Sequence, residues 1–163
     1  MEIVEWTKCI LPQRIMRYVH TNIISKDWKK LAAFYQTVFE CEPVPPQRAQ
    51  AGTWLSQGSG VKNASLEGVH LRLPGYGPQG PTLEIYSYDR MLEKHGDAAA
   101  NKQGLGHLAF EVEDVDSVLN QVMDQGGKAV GQVTTHTIPG QGKITFVYCT
   151  DPEDNIIELQ RWH

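Results

Sequence analysis

Two kinds of hydrophobic spacing alternate along the chain. In "GHLAFEV" the apolar residues Leu108, Phe110 and Val112 fall on every second position, the period of a strand with one packed face. The stretch that follows, "VDSVLNQVMDQ", changes to the three-to-four spacing of an amphipathic helix. The same succession occurs earlier, where "YVHTNII" runs as a strand into "WKKLAAFYQTVF" as a helix. An aspartate stands before each helix, Asp27 and Asp114, where an N-cap or a first-turn acid belongs.

These two stretches are copies of one unit. His20 precedes Asp27 by seven residues and His107 precedes Asp114 by seven, and Leu31 and Val118 fall at a common offset. A weaker strand region follows each helix, around "EPV" and "KAVGQV". Each copy then closes with two strands joined by a tight turn. "GPQGPTLEIYSY" aligns with "DPEDNIIELQRW", which pairs Pro78 with Pro152 and Glu84 with Glu158. The predicted class is therefore α+β, two βαβββ modules in tandem. Their expected limits are residues 16–93 and 104–163, joined by a linker over 94–103, with residues 1–15 as an N-terminal arm. The Pro-, Gly-, Gln- and Ser-rich segment from Cys41 to Leu66 reads as a long loop of the first copy, a candidate lid.

Composition narrows the function. A net charge of -4 over 163 residues argues against nucleic acid as the main partner, which calls for a basic stripe. No apolar run approaches the ~18 residues of a membrane span. The N-terminal stretch lacks a signal peptide's apolar segment. Cys9, Cys41 and Cys149 are odd in number and far apart, which suits neither a disulfide framework nor a zinc ribbon. A reduced, cytoplasmic protein is expected, without a membrane partner.

Strand parity then sorts the polar residues. With Leu83 and Ile85 packed, Glu84 and Tyr86 face away; with Ile157 and Leu159 packed, Glu158 and Trp162 face away. His20 and His107 likewise oppose the packed faces of their strands. Singly, a strand histidine is more often a hydrogen-bonded structural residue than a ligand, and a strand glutamate is usually solvated. Recurrence of both at equal repeat positions favours a shared role. Buried carboxylates need pairing or coordination, and two imidazoles with two carboxylates suit a divalent first-row metal. The expectation is one concave site holding His20, Glu84, His107 and Glu158. Arg72 and His70, of one parity in "VHLRL", are candidates for substrate binding, and Tyr86, Trp162 and Trp54 for lining a pocket. His95, His136 and His163 have no repeat counterpart and are left outside the site.

The motifs "HTNIISKDWKKLAAFY", "TLEIY", "GLGHLAFEVEDVD" and "DPEDNIIEL" resemble the vicinal oxygen chelate superfamily, over roughly residues 16 to 162. That superfamily includes glyoxalase I, methylmalonyl-CoA epimerase, extradiol dioxygenases and fosfomycin and bleomycin resistance proteins. The resemblance implies paired half-barrels around a divalent metal (Ni, Co, Zn, Mn or Fe), with the ligand pattern on His20, Glu84, His107 and Glu158. Dioxygenases and fosfomycin-resistance enzymes use two histidines and one carboxylate, so the second glutamate is more similar to the glyoxalase I and epimerase branch. It implies a lyase or isomerase that chelates vicinal oxygens of a small 2-oxo or acyl-thioester substrate. Glu158 is then the first candidate for the base that abstracts a proton, with Glu84 as a ligand that shares the role. Bacterial glyoxalases carry an arginine where this chain has Ile24, which departs from a glutathione-binding pattern. A metal-free binding or resistance protein is the alternative, and an Fe(II) ring-cleaving dioxygenase a further one. A homodimer is expected, because a lone module exposes a sheet edge.

Overall fold

The computed structural model describes residues 16–163; the arm expected over residues 1–15, with Cys9, lies outside them. The first module contains β1 (His20–Ile24), α1 (Trp28–Phe39), β2 (Glu42–Ala51), α2 (Thr53–Ser59), β3 (Ser65–Arg72) and β4 (Thr82–Tyr88). The second contains β5 (Leu108–Glu111), α3 (Val115–Asp124), β6 (Lys128–Ala129), β7 (Thr134–Ile138), β8 (Gly142–Thr150) and β9 (Ile156–Trp162). The sheet orders are β1-β4-β3-β2 and β5-β9-β8-β6, with β7 also paired to β8. In each sheet the first strand runs parallel to the last, and the remaining pairs are antiparallel. The mixed α+β class and the duplicated βαβββ plan agree with the sequence pattern, although neither sheet closes into a barrel.

Both predicted caps form. Asp27 Oδ1 accepts the Lys30 N–H at 3.1 Å and Asp114 Oδ1 accepts the Ser117 N–H at 2.9 Å. Each satisfies a donor that the helix start would otherwise leave free. The helices bury Leu31, Tyr35, Leu119 and Val122 against Leu71, Leu83 and Ile85 of one sheet and Val147, Ile157 and Leu159 of the other. Phe39 stacks on Phe110 across the modules, with ring centroids 4.0 Å apart. Each fully buried side chain of this size contributes roughly 1.5–3 kcal/mol, and because they belong to one core the two modules stabilise each other.

The segment from Cys41 to Leu66 is not a loop, which corrects the sequence reading. It forms the ten-residue strand β2 and the short helix α2. Composition misleads here because Pro45 and Pro46 cannot donate to a ladder. β2 lies at the sheet edge, where prolines are tolerated, and its register shifts between Val44 and Arg48, across the prolines. Leu55 of α2 then joins Ala64, Leu66 and Tyr86 in a second small core.

A turn of the second module holds the first. Asp151, fully buried, accepts from Tyr35 Oη at 3.0 Å, from Asn155 Nδ2 at 2.8 Å, and from the Glu153 and Asn155 N–H groups at 2.9 and 3.0 Å. Burial pushes its carboxyl above the usual range while these bonds oppose the shift. Its neighbour Glu153 accepts from Ser25 Oγ at 2.7 Å and from the Lys26 and Asp27 N–H groups at 2.9 and 3.1 Å. Cys41 and Cys149 are free and buried, and burial pushes both thiols up to about 12. Among the described residues no helix is long and apolar enough to cross a membrane.

Candidate metal centre and its two halves

Register places each histidine and glutamate in the same relation. Glu84 lies across from Asn22, two residues after His20, and Glu158 lies across from Ala109, two residues after His107. On the first face His20 Nδ1 is 3.3 Å from Glu84 Oε1. On the second, His107 Nε2 is 2.9 Å from Glu158 Oε2. Strand alternation explains why both pairs sit opposite the core, since Leu83 and Ile85 flank one glutamate and Ile157 and Leu159 the other.

Within one chain the pairs stay separate. The apolar faces of both sheets share one core, so the polar faces turn away from it. Among the described residues no three His, Cys, Asp or Glu are grouped so as to hold an ion. The parity argument identified the correct faces, but it carries no information on how two sheets are turned relative to each other.

Each half has a third polar neighbour. His70, opposite Glu84 on β3, brings Nε2 to 3.1 Å from the same Oε1 and to 2.5 Å from Tyr86 Oη. Burial lowers the His70 pKa, Glu84 opposes this, and the charges of Arg48 and His20 add to the lowering. Burial, then the Glu84 charge, pushes the Tyr86 phenol up to about 12. In the second module Tyr148, opposite Glu158 on β8, takes the place of His70, with its ring centroid 5.0 Å from that of His107. Sequence reasoning missed Tyr148 because the two hairpins differ in length; only the strand register equates these positions.

The other candidates divide. Tyr86 and His70 lie on the first face beside Glu84. Arg72 is engaged by Glu42, Nη1 to Oε2 at 2.8 Å, and that pairing leaves it little freedom to take a ligand. Trp162 is on the Glu158 face and partly exposed, while Trp54 is on the outside of α2 and 60% exposed. Ile24 is exposed, across from Tyr86. His163 Nε2 bonds Thr145 Oγ1 at 2.9 Å, away from either pair. Between β1, β5 and the linker lies a cavity of about 260 Å³, lined by Asn22, Lys94, Lys102, His107 and Asn155 among others.

The donor chemistry fits a divalent metal. Bonds of about 2.0–2.2 Å to imidazole nitrogen and carboxylate oxygen put adjacent ligand atoms roughly 3 Å apart. The nitrogen-to-oxygen separations in both halves have that size. The two repeated pairs offer one nitrogen and one oxygen each, so together they make the N₂O₂ set common for first-row ions.

The duplicated βαβββ unit, with one His–Glu pair per copy, defines the class of fold. The sequence pattern of the Glyoxalase/Bleomycin resistance protein/Dioxygenase superfamily matches residues 17–159, and the chain belongs to that superfamily. Among solved structures, it is similar to a glyoxalase family protein from Bacillus cereus, at 19% identity and a TM-score of 0.71, covering 90% of this chain and 93% of that one. A glyoxalase/bleomycin resistance protein/dioxygenase family enzyme from Burkholderia phytofirmans shares 15% identity and a TM-score of 0.55, over 88% and 97% of the chains. A mutant of the fosfomycin resistance protein FosX from Listeria monocytogenes, complexed with Mn(II) and a dihydroxypropylphosphonic acid, gives 18% identity and a TM-score of 0.52, over 92% and 95%. Among curated proteins none matches this chain. At these identities the solved structures show the shared fold.

Proposed function

We propose that the protein is a metal-dependent lyase or isomerase of the glyoxalase type, working as a homodimer whose sites are assembled from two chains. The observation that carries this reading is the matched geometry of the two His–Glu pairs, each turned away from the shared core and each half of a ligand set. His20 and Glu84 of one chain and His107 and Glu158 of the second would hold the ion. When bound, a divalent ion supplies Lewis-acid polarisation of two neighbouring oxygens of a 2-oxo or acyl-thioester substrate.

The chain's own residues divide the remaining work. Glu84 is held by two imidazoles and nearly buried, which suits an anchor. Glu158 has one imidazole partner and is the freer carboxylate, which suits the base that takes a proton from the carbon beside the carbonyl and returns it. Tyr86 and Tyr148, one per face, offer hydroxyl donors toward substrate oxygens. The buried free thiols of Cys41 and Cys149 fit a reducing, cytoplasmic setting.

A metal-free binding protein is the second reading. It is favoured by the way His20 and His70 converge on one oxygen of Glu84, as in an ordinary hydrogen-bonded ion pair. Elemental analysis followed by titration with Ni, Co, Zn and Mn separates the two. One divalent ion per chain, lost in both His20→Ala and His107→Ala, is the expected result; no stoichiometric affinity for any of these ions would favour the binder. A panel containing methylglyoxal–thiol adducts and methylmalonyl-CoA then tests the reaction class.

A further inference from the structure

The two polar faces differ in one row. Across the first sheet the register aligns Ile24, Tyr86, Gly68 and Arg48. The equivalent row of the second sheet holds Glu111, Gln160, Phe146 and Thr134. Where the second face is filled by the Phe146 ring, the first has a glycine. A Cβ on Gly68 would lie 2.0 Å from the Ile85 carbonyl oxygen and 2.3 Å from the Tyr86 ring, so only glycine fits between the strand and that ring. Tyr86 and Arg48 flank this glycine along the row, on the two neighbouring strands. Leu55, Ala64 and Leu66 pack with Tyr86 in an apolar cluster beside it.

Arg48 is the unexplained member of this row. Its Nη1 is buried and has no hydrogen-bond partner among the described residues. The salt bridges of the described residues leave Arg48 without a carboxylate, whereas Arg72 on the next row has Glu42. The pairing of Arg48 with Gly68, which lies across from Tyr86 and two residues from His70, puts Arg48 on the face of the His20–Glu84 pair. Hiding a guanidinium N–H from water without an acceptor costs desolvation with nothing in return. Such a group in a folded protein signals a missing acceptor.

We propose that Arg48 and the Tyr86 hydroxyl form an oxyanion-binding subsite beside the His20–Glu84 pair. It selects substrates that carry a carboxylate or similar oxyanionic group. The inference rests on the enzymatic reading above only for the word substrate. A guanidinium fork matches two oxygens of one anion, a phenol donates to the same group, and the apolar cluster packed with Tyr86 lowers the local polarity in which such bonds form. The second face, with Thr134 and Phe146 in the equivalent places, has no such subsite, so the substrate is bound in one direction.

The test is a titration of the full-length protein with acetate, methylphosphonate and neutral acetamide, read from the His70 ring resonances by NMR. Acetate or methylphosphonate should shift them saturably, and the tighter of the two identifies a planar or a tetrahedral anion. Arg48→Met should weaken that binding by about tenfold or more, and Arg48→Lys by less. Both variants should keep wild-type near-ultraviolet circular dichroism and bind divalent metal with unchanged stoichiometry. Equal anion affinity in Arg48→Met, or equal binding of acetamide, overturns the subsite. Metal binding without Arg48-dependent anion binding defeats this inference and spares the enzyme. Arg48-dependent anion binding without any metal affinity does the reverse.

Discussion

Glu84 and Glu158 share a repeat position and differ in their company. Glu84 Oε1 has two imidazoles, at 3.3 and 3.1 Å, and the residue is 7% exposed. Glu158 has one, at 2.9 Å, with Tyr148 across the strand pair. A carboxylate fixed by two partners is a poor base, because moving it breaks two charge-assisted contacts. Glu158→Gln at saturating metal should therefore lower kcat for whichever panel substrate turns over by about 10²–10⁴-fold. Glu84→Gln should act first on metal affinity, read by titration. The opposite pattern moves the base to Glu84. The pairing of His20 with Glu84 and of His107 with Glu158 was legible in the repeat, since strand parity and equal offsets are properties of the sequence. The role of His70 as a second partner of Glu84 was not, because that contact is made across a strand pair whose register the sequence does not state. Arg48 was hidden for a related reason: its segment reads as loop by composition, and only its pairing with Gly68 brings it to the polar face.

At the scale of elements, the helices and their caps were the most readable part. An aspartate before an amphipathic run is a local signal, and both caps form. Only the start of β2, around Glu42–Val44, was readable; the rest of β2 and α2 were not, because edge pairing to β3 is a distant interaction that overrides the proline-rich composition. The β8–β9 turn shows the same limit, since its "DPEDN" reads as a turn but not as a clamp. Glu153 fastens this turn to the β1–α1 connection through three donors, Ser25 Oγ and the N–H groups of Lys26 and Asp27. Glu153→Ala should raise the amide exchange rates of Lys26 and Asp27, measured by hydrogen exchange, with smaller changes in the core strands β4 and β9. Asp151→Asn should cost more, about 3 kcal/mol in chemical denaturation, because an amide would turn its own donors toward Tyr35 or the backbone N–H groups.

The arrangement of the whole molecule follows from which sides of the sheets are apolar. One core joins α1, α3 and the packed faces of both sheets, so the His–Glu faces are the surfaces left over. The sequence predicted four ligands on one hollow. It could supply the faces but not the rotation between modules, which is set by long-range packing such as Phe39 on Phe110. A two-fold dimer that lays the first face of one chain on the second face of its partner restores the expected quartet twice, since an isologous interface repeats each contact. This makes a mixing experiment decisive. His20→Ala and His107→Ala should each be inactive alone. In their heterodimer one site loses both histidines and the other keeps both. After dissociation and random reassociation, half the dimers are mixed and each has one of two sites intact, so activity and tight metal binding should return to about a quarter of wild type. A site contained in one chain would regain nothing on mixing, because each chain would keep its own defect.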